Sequence, residues 1–95
     1  MSTRPAITTP DPEQDVAEDI QGYLAPPCDF GDIACAAGQV EMLMRWAGQS
    51  LDRAYEAPFP SGGHDARIAL RQLRVASDAL PQIVAAVERL LREGR

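Results

Sequence analysis

Apolar residues return at alternating steps of three and four along the last third of this chain. Ala66, Ala69, Leu73, Ala76, Leu80, Ile83, Val87 and Leu90 form one continuous stripe. A stripe with that period is the seam of a helix packed lengthwise against other helices. It predicts a helix over about 64–93. Pro81 falls inside it, where it removes one backbone hydrogen bond and crowds the carbonyl of Ser77. The apolar register carries across the proline, so the expectation is a kink and not a loop.

Two further segments carry the same period. Ile33, Ala36 or Ala37, Val40, Met44, Ala47, Leu51 and Ala54 predict a helix over about 33–57, with Asp32 as its cap. Gly38 and Gly48 inside it cost about 1 kcal/mol each relative to alanine. Earlier in the chain, Val16, Ile20 and Tyr23 or Leu24 form a shorter stripe. Asp11 as cap, Pro12 at the first position and Glu13 and Asp15 in the first turn mark its start. Gly22 weakens its end and Pro26-Pro27 stops it, giving a helix over about 12–24. A helix that short is marginal alone and must dock on something. Residues 1–10 read as a disordered arm, and 11–95 as one helical domain.

Pro58-Phe-Pro-Ser-Gly-Gly63 breaks the chain between the two long helices. A linker that short makes them an antiparallel hairpin. The expected fold is therefore all-α: a short acidic N-terminal helix, then a long antiparallel helical hairpin, as part of a dimeric bundle. The dimer enters because two helices cannot cover all the apolar rows. Leu43 and Trp46 lie beside the main stripe of the second helix. Leu70, Val84 and Leu91 form a second row on the third, with Ile68 and Val75 further round. Together with Val16, Ile20, Tyr23 and Leu24 of the first helix, Leu43, Trp46, Leu70, Val84 and Leu91 are the candidate protein-interface residues. Trp46 is the expected anchor, since large aromatics dominate interfaces.

Charge divides the chain. Residues 1–32 hold one arginine against seven acids (1 − 7 = −6), and residues 64–95 hold six arginines against four acids (6 − 4 = +2). Net charge is −5, which argues against nucleic acid and anionic membranes as partners. Arg67, Arg71 and Arg74 share one side of the last helix, where the acidic first helix of the same chain is the economical partner. Lysine is absent and arginine occurs nine times, as in a GC-rich bacterial coding genome. No signal peptide or membrane span is legible, so the expected compartment is the cytoplasm with Cys28 and Cys35 reduced.

The chemistry-bearing residues are sparse. Cys28, Cys35 and the single histidine, His64, fall short of a four-ligand zinc set. Cys35 reads as a small core residue, Cys28 as packing for a turn, and His64 as an exposed first-turn residue. Asp29-Phe30-Gly31 spells the kinase magnesium triplet without its companion motifs, and reads as a turn ahead of a helix cap. The expectation is no enzyme, no metal and no cofactor.

Trp46-Ala47-Gly48 resembles the Trp-x-Gly bend of the small helical-hairpin substrates of type VII secretion systems. Those proteins are similar in length, helical and often dimeric. In that family the motif marks the turn between two helices, whereas here it lies inside a helical stripe. The family's Tyr-x-x-x-Asp/Glu signal has no match after the last helix, and Pro26-Pro27 interrupts its first long helix. The resemblance implies a secreted hairpin. The residues themselves point to a small non-catalytic interaction or accessory protein acting on a protein partner: an adaptor, an assembly factor or a sequestering regulator. An acidic inhibitor that mimics nucleic acid is a further reading.

Overall fold

The computed structural model describes residues 12–57 and 61–94. The arm expected over 1–10, the proposed cap Asp11 and the prolines 58 and 60 lie outside the described residues. Three helices make up the fold: α1 (Pro12–Leu24), α2 (Phe30–Glu56) and α3 (Ser61–Arg92). Among the described residues there is no strand, so the all-α expectation stands.

Pro12 opens α1, where its missing N–H costs nothing and its φ is already helical. The helix ends at Leu24, just before the Pro26-Pro27 stop. The start of α2 differs from the sequence reading. Its cap is Asp29, not Asp32, and the helix begins three residues earlier than expected. Asp29 Oδ1 accepts from the Asp32 backbone N–H at 2.9 Å, and Asp32 Oδ2 accepts from the Asp29 N–H at 3.0 Å. This is a capping box with aspartate in both roles. Asp29-Phe30-Gly31 is thus the cap itself rather than a turn ahead of it. Phe30 and Gly31 are exposed and carry no core-facing signal, so the apolar stripe starts three residues inside the helix.

The start of α3 is also earlier than expected. Ser61, Gly62 and Gly63 belong to the helix and not to the break. Gly62 explains why. A Cβ there would run into the Ala57 carbonyl oxygen and lie 2.6 Å from that of Ala54, so only glycine lets α3 start this close to the end of α2. Gly62→Ala is expected to destabilise the chain by about 1–3 kcal/mol, the scale of overpacking a tight site. Urea unfolding measures it, and an unchanged midpoint would show that the corner relaxes freely.

Pairings across the hairpin establish that α2 and α3 are antiparallel. Arg53 meets Asp65 at 3.2 Å and Ser50 meets Gln72 at 3.5 Å. α1 runs parallel to α3 on one side of the hairpin: Glu13 lies by Gln72, Gln21 by Gln82. The core is built from Val16, Ile20 and Leu24 of α1, Ile33, Ala36, Val40 and Leu43 of α2, and Ala76, Ala79, Ile83, Ala86 and Leu90 of α3. α3 continues through Pro81, which points to solvent. The Gln82 side chain donates to the Asp78 carbonyl at 3.0 Å beside the proline.

The buried register corrects the α3 seam at Ala66, which is exposed, and at Leu73, Leu80 and Val87, and the α2 seam at Met44 and Leu51. On α3 the residues seven apart, Ala69, Ala76, Ile83 and Leu90, are buried as expected. Between them the chain buries Gln72, Ala79 and Ala86 instead of Leu73, Leu80 and Val87. On α2 it buries Leu43 and Ser50 instead of Met44 and Leu51. In both helices the inward residue at the disputed step sits one position earlier. On α3 that choice puts alanine inside, which lets three helices approach closely; Leu80 turns outward, while Leu73 and Val87 are half-buried, Val87 against the core.

Candidate interaction face

At 100° per residue, the α3 positions that meet α1 are 71, 75, 78 and 82, on one side of the helix. Leu73, Leu80, Val84 and Leu91 project from the opposite side. The same holds on α2. Met42 and Trp46 are half-buried against the core on one flank, and Phe30, Ala37, Met44 and Leu51 occupy the other. The outer flanks of α2 and α3 therefore adjoin, and form one face of the hairpin on the side away from α1. Its large apolar side chains remain open to solvent: Phe30, Met44, Leu51, Tyr55, Leu70, Leu80, Val84 and Leu91 are all more than 40% exposed. Scattered exposed apolar residues are ordinary. Here they line up along adjoining flanks of two helices rather than being scattered.

The nine candidate interface residues divide across these two sides. Val16, Ile20, Leu24 and Leu43 are buried within this chain's own core and present no surface. Tyr23 and Trp46 are half-buried against that core. Leu70, Val84 and Leu91 lie on the open face. Sequence reasoning left out Phe30, Met44, Leu51, Tyr55 and Leu80. Read from the sequence, Met44, Leu51 and Leu80 fall on the intramolecular seam, which hides the second stripe. Its signal was present: Phe30, Ala37, Met44 and Leu51 recur at every seventh residue. Trp46-Ala47-Gly48 is helical throughout and lies in the middle of α2, away from the bend of the hairpin.

A polar chain missed in the sequence ties the three helices together on the α1 side. Asp65 accepts from Arg53, whose other nitrogen donates to Ser50 Oγ at 3.0 Å. Ser50 donates to Gln72 Oε1, and Gln72 Nε2 donates to Glu13 Oε2, both at 3.5 Å. Arg71 closes the chain 3.5 Å from Glu13 Oε1. Of the three arginines expected to meet the acidic helix, Arg71 does so among the described residues. Glu13 is only 6% exposed, and its two partners are what make a buried carboxylate tolerable. Gln72→Leu removes the link between Glu13 and Ser50. It is expected to cost about 1–3 kcal/mol, because two buried polar groups lose a partner. A double-mutant cycle with Glu13→Gln should show coupling above about 0.5 kcal/mol, and strict additivity would mean that the chain of contacts is incidental.

Other chemistry is thin. Both cysteines are free thiols: Cys28 is buried in the connector, as expected of a residue that packs a turn, whereas Cys35 is exposed and not the core residue expected. Cys28 Sγ accepts from an Arg89 guanidinium N–H at 3.2 Å, fastening the α1–α2 connector to α3. His64 is exposed. Among the described residues no three histidine, cysteine or acidic side chains gather as a metal site. A shallow groove of about 290 Å³ between α1 and α3 is lined by Gln14, Gln21, Asp78 and Gln82 around Ile20 and Ala79. It brings together amides and one carboxylate, without a nucleophile and base pair. Among the described residues no helix is long and apolar enough to cross a membrane. No protein-family model, no curated protein and no solved structure matches the chain.

Proposed function

We propose that this chain is a small non-catalytic interaction protein, working in the cytoplasm as an adaptor, assembly factor or sequestering regulator through the open face of its hairpin. One observation carries the reading: α2 and α3 hold two apolar stripes each, and α1 covers only one side. The second stripes have no structural task within a single chain. Apolar side chains of this size are stabilised by about 1.5–3 kcal/mol each on full burial, so an uncovered row is a store of binding energy. The chain's acidity and arginine content supply a polar rim around it, as interfaces have.

The test is affinity capture with the intact protein beside its Leu80→Asp variant, read by mass spectrometry. Leu80 is 49% exposed, so a carboxylate there keeps its water and the variant folds. A protein retained by the wild type and lost from the variant is expected, a further copy of this chain included. Equal retention by both would sink the reading.

A further inference from the structure

We infer that the occupant of the open face is a second copy of this chain, packed antiparallel about a two-fold axis that crosses the middle of the hairpin. The inference rests on the proposed interaction function and names its partner. Three observations carry it: the pattern of the face, its charge and its area.

The pattern is self-complementary. On α2 the face runs Phe30, Ala34, Ala37, Glu41, Met44, Gly48, Leu51, Tyr55. Turned end for end about the point between Met42 and Leu43, Phe30 comes opposite Tyr55 of the second copy. Ala34 then meets Leu51, and Ala37 meets Gly48. Aromatics pair at both ends, a small residue receives a large one, and the smallest pair allows the closest approach. Gly48 has open space around it in the single chain. The same operation about the point between Asp78 and Ala79 brings Leu73 of α3 opposite Val84.

These two centres belong to one axis. Ser50 and Gln72 face each other across the hairpin. Seven residues further along, Leu43 and Ala79 are therefore level. One two-fold axis lying in the plane of the face and running across both helices at that height satisfies them at once. An isologous contact requires this: a surface that matches itself after a half turn.

The charge fits as well. Glu41 is the charged residue nearest the centre of the α2 stripe, and Arg45 is its exposed neighbour at 3.9 Å. In the antiparallel arrangement each Glu41 lies beside Met44 of the other copy, one residue from its Arg45. Two reciprocal ion pairs then flank the axis. The area is adequate. Helices about 40 Å long, 8–10 Å apart, present a face of about 800 Å², which is what each partner contributes to a standard interface.

The experiment uses the full chain at tens of micromolar. Light scattering is expected to give twice the 10.3 kDa chain mass. Met44→Asp should give the monomer mass with the helical circular dichroism retained, a dissociation constant raised at least 100-fold. The register is read by a Cys35→Ser chain carrying Ala37→Cys and Gly48→Cys. Those positions lie about 16 Å apart within one helix, beyond reach of an internal disulfide. The double variant should cross-link between chains under mild oxidation, and each single variant should not. A monomeric wild type overturns the inference. If that monomer still retains another protein through Leu80, the interaction function survives without the dimer; if it retains none, both fall. A dimer that persists in Met44→Asp, or cross-links as well through one cysteine as through two, places the contact elsewhere or in another register and also overturns it.

Discussion

Leu43→Asp is expected to unfold the chain, and Met44→Asp, one residue on, to leave it folded. Leu43 is 0% exposed at the centre of the core, between α1 and α3. A carboxylate there has no cation or donor assigned to it, and leaving a charge unpaired in an apolar site costs several kcal/mol. Domains have only about 5–15 kcal/mol in total, and a chain this short sits toward the lower end. The helical signal of Leu43→Asp should therefore be largely lost at 25 °C. Met44 is 51% exposed, and its carboxylate would stay hydrated. Its melt should remain cooperative, with intrinsic stability within about 0.5 kcal/mol of the wild type below the dimer concentration. Far-UV circular dichroism on both variants decides it. The reverse outcome would restore Met44 to the internal seam and dismantle the open face.

That pair of variants also marks where sequence reasoning stops. Helices at 12–24, 33–57 and 64–93 were legible because proline and glycine punctuate them and their apolar periods are sustained. Positions such as Ala69, Ala76, Ile83 and Leu90 were legible too, since a residue every seven belongs to the inward face in either phase. The step between them was ambiguous. Both 69-73-76-80 and 69-72-76-79 alternate three and four, and the larger side chains in the first favoured it. What decides is the third helix. Close packing of α1 into the hairpin requires short side chains at 79 and 86, and this turns Leu80 out to solvent and leaves Leu73 and Val87 half-buried at the edge of the seam. Gln72 and Ser50, polar and yet buried, were unreadable for a related reason. Their burial depends on Glu13 and Arg53 being positioned by other helices. Ala57 and Ala54 likewise dictate the glycine at 62, a constraint set by the approach of two helix ends and not by the local string.

Ile20→Ala is expected to shift the whole unfolding transition, not to release α1 alone. Val16, Ile20 and Leu24 recur at every fourth residue and form the single buried stripe of a 13-residue helix. Ile20 is 1% exposed at its centre. Emptying such a site costs about 2–5 kcal/mol. The question is how the loss spreads. The buried seam between α2 and α3 consists largely of alanine: Ala36, Ala47, Ala69, Ala76, Ala79 and Ala86. Alanine buries little surface, so beside these alanines the hairpin relies on five larger aliphatics, Ile33, Val40, Leu43, Ile83 and Leu90. The aliphatic bulk that fills the space between these alanines comes in substantial part from α1. The polar chain through Glu13, Gln72 and Ser50 adds a second tie between α1 and the hairpin. Undocking α1 would expose the alanine seam and leave Gln72 without its carboxylate partner. The hairpin should then follow α1 into the unfolded state. Urea unfolding of Ile20→Ala should remain a single transition with an unchanged slope and a midpoint lowered by the equivalent of 2–5 kcal/mol. Hydrogen exchange should accelerate in the core of α2 and α3 as much as in α1. A variant whose α1 amides exchange freely while the hairpin keeps its wild-type protection would show that α1 is a detachable cover.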